Sequence, residues 1–256
     1  MEANKTIKSI SYNQHKILYN IMMMHNSGKP FDCDMTYSCG NFYGTFNIEC
    51  CGHKCKDSIT IPEPLYKFDV CPNDDTVVKI EPNGTLPLED CSITSIVVDL
   101  PFVISPPNAP SMSKNAINED GSKNNIIARR FTSYYPVYEL INNYHHWMSE
   151  CCRVLDDNGI VIWKCQNGIT GGKYLPTEEL SWLFAEQCGF ETLDKFTLIA
   201  KQRLISGKIK AQQHARNFSS VFWVFKKSQK KAIKYFRTMD KDISIKFGDK
   251  LISQWQ

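Results

Sequence analysis

The stretch Ser95-Ile96-Val97-Val98-Asp99-Leu100-Pro101-Phe102 carries the most information about the fold of this chain. It begins as a short β-branched run, which is typical of a buried strand, and it leads directly into an Asp-x-Pro-Phe turn. Strand-like and helix-like segments alternate around it, from about residue 31 to residue 226. This alternation predicts a parallel sheet covered by helices, with Asp99 at the carboxyl ends of the strands.

The turn after this strand has the chemistry needed to hold an amino group for methylation. Asp99 can accept one N–H of the amine, and the backbone around Leu100 and Pro101 can offer a carbonyl oxygen to the other. Phe102 can stack on the ring that carries the amine. The turn is therefore a candidate catalytic site for a nucleobase amine, and an ordinary strand-end turn is the alternative.

The remaining periodicity predicts the other elements of the sheet and its covering helices. Helices are expected over residues 13–25, 137–155 and 176–188, where apolar residues recur at helical spacing. The last two strands have no crossover helix between them and can pair antiparallel. Strands are expected over residues 31–35, 66–70, 77–80, 95–99, 159–165, 192–200 and 219–225.

Length and composition favour a single large α/β domain with elaborations. The 256 residues are 42% hydrophobic, and no apolar run approaches the roughly 20 residues that span a bilayer. The N-terminus lacks the pattern of a secretory signal, so we expect a reducing, cytoplasmic location. The 11 cysteines are scattered through predicted strands and helices, which favours free thiols over a disulfide framework.

One cysteine cluster has residue types that can bind zinc. Cys50, Cys51, His53 and Cys55 lie within six residues of a predicted loop. Structural zinc usually takes two well-separated ligand pairs, and adjacent cysteines rarely serve one tetrahedral ion. We therefore expect no metal site, although the sequence leaves metal binding by this cluster open.

Over residues 30–227 the sequence resembles the class I, S-adenosylmethionine-dependent methyltransferases. The resemblance is to the amino-methyltransferases of DNA, whose catalytic tetrapeptide reads Asp/Asn/Ser-Pro-Pro-Tyr/Phe. Residues 86–99 resemble the lead-in to that turn, and residues 153–160 resemble the passage from helix to fifth strand. Leu100 departs from the double-proline form. The resemblance implies a Rossmann-like, seven-stranded, mostly parallel sheet with an antiparallel last strand and helices on both faces.

The resemblance also implies a binding site for the cofactor S-adenosyl-L-methionine. Residues 34–42 look like a variant cofactor motif found in some phage and bacterial members, and Asp69 stands where the family places an acid for the ribose. Glu81 follows the third strand and could border the adenine; surface acids are the alternative for both carboxylates. The expected cofactor-binding residues are Asp34, Thr36, Tyr37, Gly40, Phe42, Asp69, Glu81 and Asp99.

The substrate side is expected to be basic. Residues 103–135 follow the catalytic turn as a long loop, which we interpret as a substrate or target-reading loop, with disorder as the alternative. Cations cluster in the C-terminal third although the net charge is only +3, and a solvated face is the alternative to phosphate contact. The expected nucleic-acid-binding residues are Arg129, Arg130, Lys201, Arg203, Lys208, Lys210 and Arg216.

These features predict an enzyme that methylates adenine N6 or cytosine N4 in DNA, with the target base flipped into the Asp-Leu-Pro-Phe pocket. RNA base methylation is the nearest alternative, and a catalytically inactive nucleic-acid-binding protein is the alternative of another class. The basic tail argues against protein glutamine methylation. We expect a helical extension over residues 1–30, a catalytic domain over 31–227 and a basic tail over 228–256, in a bacterial or phage-infected cell, with DNA as partner and no membrane.

Overall fold

The structure is a computed structural model, and it describes residues 6–47, 58–104, 134–201, 214–215 and 217–228. Within these ranges it contains helices α1 (Gln14–His25), α2 (Val137–Val154) and α3 (Thr177–Gln187). None of these described helices combines the length and the apolar composition needed to cross a membrane. The strands are β1 (Ile10–Ser11), β2 (Cys33–Asp34), β3 (Gly44–Asn47), β4 (Ser58–Ile61), β5 (Tyr66–Asp69), β6 (Val78–Lys79), β7 (Ile93–Val98), β8 (Leu155–Cys165), β9 (Gly168–Thr170), β10 (Lys173–Leu175), β11 (Phe190–Ile199) and β12 (Ser219–Lys227).

Eight of the strands form one sheet in the order β1-β11-β12-β8-β7-β2-β5-β6. Strand β12 is antiparallel to both of its neighbours, and every other pairing in this sheet is parallel. The prediction of a mostly parallel α/β sheet is confirmed. Strands β3 with β4, and β9 with β10, form separate antiparallel pairs.

The predicted number of seven strands was wrong, because β1 adds an eighth at the edge. Ile10 of β1 aligns with Thr197 of β11 in a parallel pairing. This strand has only two residues, and the side chain of Ile10 is 55% exposed. A two-residue edge strand leaves no alternation of buried and exposed residues, which is the signal that predicts strands from sequence.

The sheet carries a hydrophobic core on each face, so its central strands are buried on both sides. In β7, Ile96 and Val98 join the core formed with α2 and α3, while Val97 joins the core formed with α1. Helix α1 contributes Leu18 and other fully buried residues to its core. The prediction of helices on both faces is thus confirmed, while the predicted domain boundaries remain predictions.

Local signals explain where the helices begin and how they lead into the sheet. Asn13 caps α1, because its side-chain oxygen accepts from the backbone N–H groups of His15 and Lys16 at 2.9 and 3.2 Å. Helix α2 passes directly into β8 at Leu155. Strands β2, β5, β7 and β8 run parallel and adjacent, so the segments after them open at one edge of the sheet, which we call the carboxyl edge.

Candidate active site

Asp99 lies at the carboxyl edge beside a lysine from the neighbouring strand. Val98 aligns with Trp163 in the β7–β8 pairing, so the residues that follow them are also neighbours. Lys164 Nζ donates to Asp99 Oδ2 at 2.7 Å, and the two side chains are 15% and 18% exposed. No other described side chain bonds to the Asp99 carboxylate. Among the described residues, no side chain forms a hydrogen bond to its Oδ1 atom.

Aromatic rings hold the Lys164 ammonium in place. Its nitrogen lies 5.1 Å from the ring centroid of Phe42 and 5.6 Å from that of Phe222. A cation over the face of a ring is attracted by the ring quadrupole, and more strongly where water is excluded. Lys164 is thus fixed between two rings and a carboxylate.

The rest of the Asp-Leu-Pro-Phe turn is anchored to the core under α2. The side chain of Leu100 is buried, and the hydroxyl of Tyr144 in α2 donates to the carbonyl oxygen of Pro101 at 3.2 Å. Phe102 is half-buried beside this anchored backbone. A carbonyl oxygen has two lone pairs, so the Pro101 carbonyl can accept a second hydrogen bond.

A buried carboxylate organises the segment that follows β2. Asp34 Oδ1 accepts from the backbone N–H and the hydroxyl of Thr36, at 2.8 and 3.2 Å, and Oδ2 accepts from the hydroxyl of Tyr43 at 2.7 Å. Burial raises the pKa of Asp34 from 3.8 to about 7, although these hydrogen bonds oppose the shift. Asp34 therefore fixes the conformation of the segment after β2 through these hydrogen bonds. Its direct contact with a cofactor remains a prediction.

The backbone of the segment after β2 packs closely on the aromatic rings of the same segment. Gly40 has a φ of +66°, and a Cβ placed there would lie 2.5 Å from the Tyr37 hydroxyl oxygen. The Tyr37 ring stacks on that of Tyr43, with centroids 5.5 Å apart. Phe42 is buried against Phe222. Glycine at position 40 thus permits a close packing of the backbone on the Tyr37 ring that a Cβ would block.

The two acids expected to bind the cofactor have different surroundings. Asp69 ends β5, where Oδ2 accepts from the N–H of Ser38 at 2.9 Å and Oδ1 accepts from the N–H of Cys71 at 2.7 Å. Asp69 therefore joins the segments after β2 and β5 at the carboxyl edge. Glu81 is exposed and forms a surface ion pair with Lys79 at 3.2 Å.

Most of the expected nucleic-acid contacts lie outside the described residues. Lys201 is described and exposed just after β11. The Cys50, Cys51, His53 and Cys55 cluster is also outside, and the described residues contain no group of three or more acidic, His or Cys side chains suited to a metal. The described cysteines are free thiols. The candidate residues outside the described ranges are Arg129, Arg130, Arg203, Lys208, Lys210 and Arg216.

Sequence reasoning missed the residues that position Asp99. Lys164 follows five buried residues of β8, and a charged residue next to such a run was an available signal. Tyr43 and Tyr144 gave no such signal, because buried tyrosines are common in cores. The structure thus brings together Asp99, Thr36 and Asp34 from the prediction, with Lys164 added.

No family model matches the chain, and no curated protein matches it by sequence. A Thermus thermophilus protein, provisionally described as a DNA modification methylase and crystallised with S-adenosyl-L-methionine, aligns with a TM-score of 0.35 and 12% identity over 56% of this chain and 51% of that chain. This chain thus spans about half the length of that protein.

A second similar structure covers more of the chain. A Sulfolobus solfataricus protein, provisionally described as a type 11 methyltransferase, aligns with a TM-score of 0.40 and 14% identity over 87% of this chain and 96% of that chain. At these scores the likenesses carry no weight in assigning a function. That assignment depends on the geometry of the carboxyl edge.

Proposed function

We propose that this protein transfers a methyl group from S-adenosyl-L-methionine to the exocyclic amine of a DNA base, adenine N6 or cytosine N4. The observation that carries the proposal is the position of Asp99. Its carboxylate ends a buried strand at the carboxyl edge, is fixed on one oxygen by Lys164, and has no described partner on the other. Such an oxygen is suited to accept an N–H from a substrate amine.

The residues after β2 and β5 fit the cofactor. Gly40 packs on Tyr37 where a Cβ would collide, so this glycine sets the shape of the segment that we propose binds the cofactor. Each oxygen of Asp69 accepts one backbone N–H, which leaves lone pairs for ribose hydroxyls. The proposed cofactor site also includes Thr36, Phe42 and Glu81. The buried Asp34 fixes the segment that carries the first two of these residues.

The cofactor supplies a methyl group on a positively charged sulfur. The base amine is a weak nucleophile because its lone pair is delocalised into the ring. Asp99 accepts one N–H and the Pro101 carbonyl accepts the other, which favours the pyramidal nitrogen and frees the lone pair. Bound S-adenosyl-L-methionine would supply its methyl group to this lone pair and leave as the neutral thioether, and Asp99 would accept the proton that the nitrogen must lose.

The base must leave a duplex to reach Asp99. Flipping requires a few kcal/mol, and stacking on Phe102 offsets part of it. We propose that Lys201 and the candidate cations outside the described residues, Arg129, Arg130, Arg203, Lys208, Lys210 and Arg216, contact phosphates. The segment 103–135 would read or cover the substrate.

Methyl transfer with product identification tests the proposal. The full chain is incubated with labelled S-adenosyl-L-methionine and mixed-sequence DNA, with RNA in parallel, and the nucleic acid is then digested to nucleosides. We expect N6-methyladenine or N4-methylcytosine from DNA with the wild type, and none with Asp99→Ala. Methylated nucleosides from RNA alone would identify RNA, and not DNA, as the substrate. If neither nucleic acid is methylated but both bind measurably, the result would contradict methyltransferase activity and favour a catalytically inactive nucleic-acid-binding protein.

A further inference from the structure

We propose that Lys164 determines which amine is accepted, by donating a hydrogen bond to the ring nitrogen beside the exocyclic amine. This inference rests on the proposed function. Adenine presents N1 next to N6, and cytosine presents N3 next to N4, so each offers an acceptor beside a donor. Asp99 and Lys164 offer the complementary acceptor and donor at one place.

The geometry supports a donor role for Lys164. Its ammonium carries three N–H groups, and one of them is directed to Asp99 Oδ2 at 2.7 Å. The two neighbouring ring faces attract the positive charge but accept no conventional hydrogen bond. The side chains of Lys164 and Asp99 are 15% and 18% exposed, so neither is fully enclosed by the described residues.

The pairing also predicts which bases are rejected. Guanine presents the N–H of N1 beside its amine on the Watson–Crick edge, which would direct a donor at the ammonium. Thymine and uracil have no exocyclic amine to methylate. A buried donor left facing another donor is unfavourable, so Lys164 disfavours guanine presented by this edge.

Deaza bases isolate this hydrogen bond. Oligonucleotides carry the accepted base, or the same base with the adjacent ring nitrogen replaced by C–H: 1-deazaadenine for adenine, or 3-deazacytosine for cytosine. Removing the ring nitrogen makes the amine more electron-rich, so its intrinsic reactivity does not fall. For the wild type we expect kcat/KM to drop roughly 10- to 100-fold on the deaza base, as for a lost hydrogen bond to a charged group.

The variant Lys164→Met removes the donor and keeps a similar chain length. We expect this variant to methylate the natural base more slowly than the wild type does. It should also lose the preference for the natural base over the deaza base, so that the ratio of the two kcat/KM values is about 1. Lys164→Arg keeps a charged donor and should retain part of the preference. Thermal unfolding and cofactor binding of each variant check that the fold persists.

Lys195→Met is the matched control. Lys195 also pairs with a carboxylate, Glu178 at 3.0 Å, and lies 4.7 Å from the ring centroid of Trp223. The Lys195→Met variant should leave the ratio of kcat/KM on the natural base to kcat/KM on the deaza base unchanged. Equal wild-type rates on both bases, or a preference that persists in Lys164→Met, would overturn the inference while leaving methyl transfer intact. No methylated nucleoside from any natural base would overturn the proposed function itself.

Discussion

The hydroxyl of Thr36 accepts the backbone N–H of Asp99 at 2.8 Å, and it donates to Asp34 Oδ1 at 3.2 Å. This hydroxyl connects the segment after β2, proposed to bind the cofactor, with the turn after β7, proposed to hold the substrate. The methyl donor and the acceptor amine would therefore be positioned by one hydrogen-bonded unit. Such positioning is a large part of catalysis for a displacement reaction.

Thr36→Val should disturb this unit while preserving the shape of the side chain. It removes the acceptor for the Asp99 N–H and one bond to Asp34, so we expect a loss of about 1–2 kcal/mol in the free energy of unfolding. Methyl transfer should fall roughly 10- to 100-fold, because Asp99 is no longer held. Urea unfolding and initial rates measure both effects. Thr36→Ser keeps the hydroxyl and should remain near wild type; equal rates for Val and Ser would contradict the connection.

Asp34 should make stability depend on pH. Its pKa is raised from 3.8 to about 7 by burial. Between these values the unfolded carboxyl is ionised while the folded one keeps its proton, so the folded state binds more protons. The free energy of unfolding must then fall as pH rises from about 4 to about 7.

A rise in the pKa of Asp34 from 3.8 to about 7 corresponds to roughly 4 kcal/mol of free energy. Asp34→Asn removes the titration. We expect the difference in unfolding free energy between wild type and Asp34→Asn to decrease by roughly this amount between pH 4 and pH 8. Asp75→Asn, at an exposed position, is the matched control for the change of charge. A constant difference for Asp34→Asn would refute the shifted pKa.

Gly40→Ala should lower the free energy of unfolding by more than backbone strain alone accounts for. Gly40 and Gly171 both have positive φ, +66° and +53°. A Cβ at Gly40 would meet the Tyr37 ring, whereas a Cβ at Gly171 would meet nothing within 4 Å. We expect about 1 kcal/mol of destabilisation for Gly171→Ala and at least about 1 kcal/mol more for Gly40→Ala. Chemical denaturation of both variants measures the difference, and equal values would show that Tyr37 moves aside freely.

Arg153 should be a strong contributor to stability at the base of the sheet. Its guanidinium donates to the carbonyl oxygens of Leu88 and Leu86 at 2.8 and 3.0 Å, and it pairs with Glu150 at 2.9 Å. Lysine cannot reproduce this fork of donors. We expect Arg153→Lys to lower the free energy of unfolding by about 2 kcal/mol. Retention of the wild-type urea midpoint would contradict this role.

The sequence predicted the elements with strong periodicity better than the short ones. Helix α2 and the buried run of β7 were placed within about two residues, because their apolar spacing reflects the faces they bury. Strand β1 was missed, since backbone pairing at a sheet edge requires no particular side chains. Boundaries also shifted: β8 begins at Leu155, four residues before the predicted start at Gly159.

For the site, chain order predicted which residues meet but not how they interact. Asp99 and Thr36 were expected at one edge, and the structure places them in contact. The partners of a buried carboxylate depend on packing, so the Tyr43 bond to Asp34 left no trace in the sequence pattern. Lys164 was predictable in principle, because strands that are adjacent and parallel bring their carboxyl ends together.

The most direct test of the account is the single-turnover rate of methyl transfer by the wild type and Asp99→Ala, both saturated with S-adenosyl-L-methionine. Alanine has no oxygen that could accept an amine N–H or a proton, whereas the amide oxygen of asparagine would still accept an N–H. We predict that cofactor affinity is largely retained and that the rate falls roughly 10²- to 10⁴-fold. A rate for Asp99→Ala close to that of the wild type would contradict the assignment of Asp99 as the group that accepts the amine.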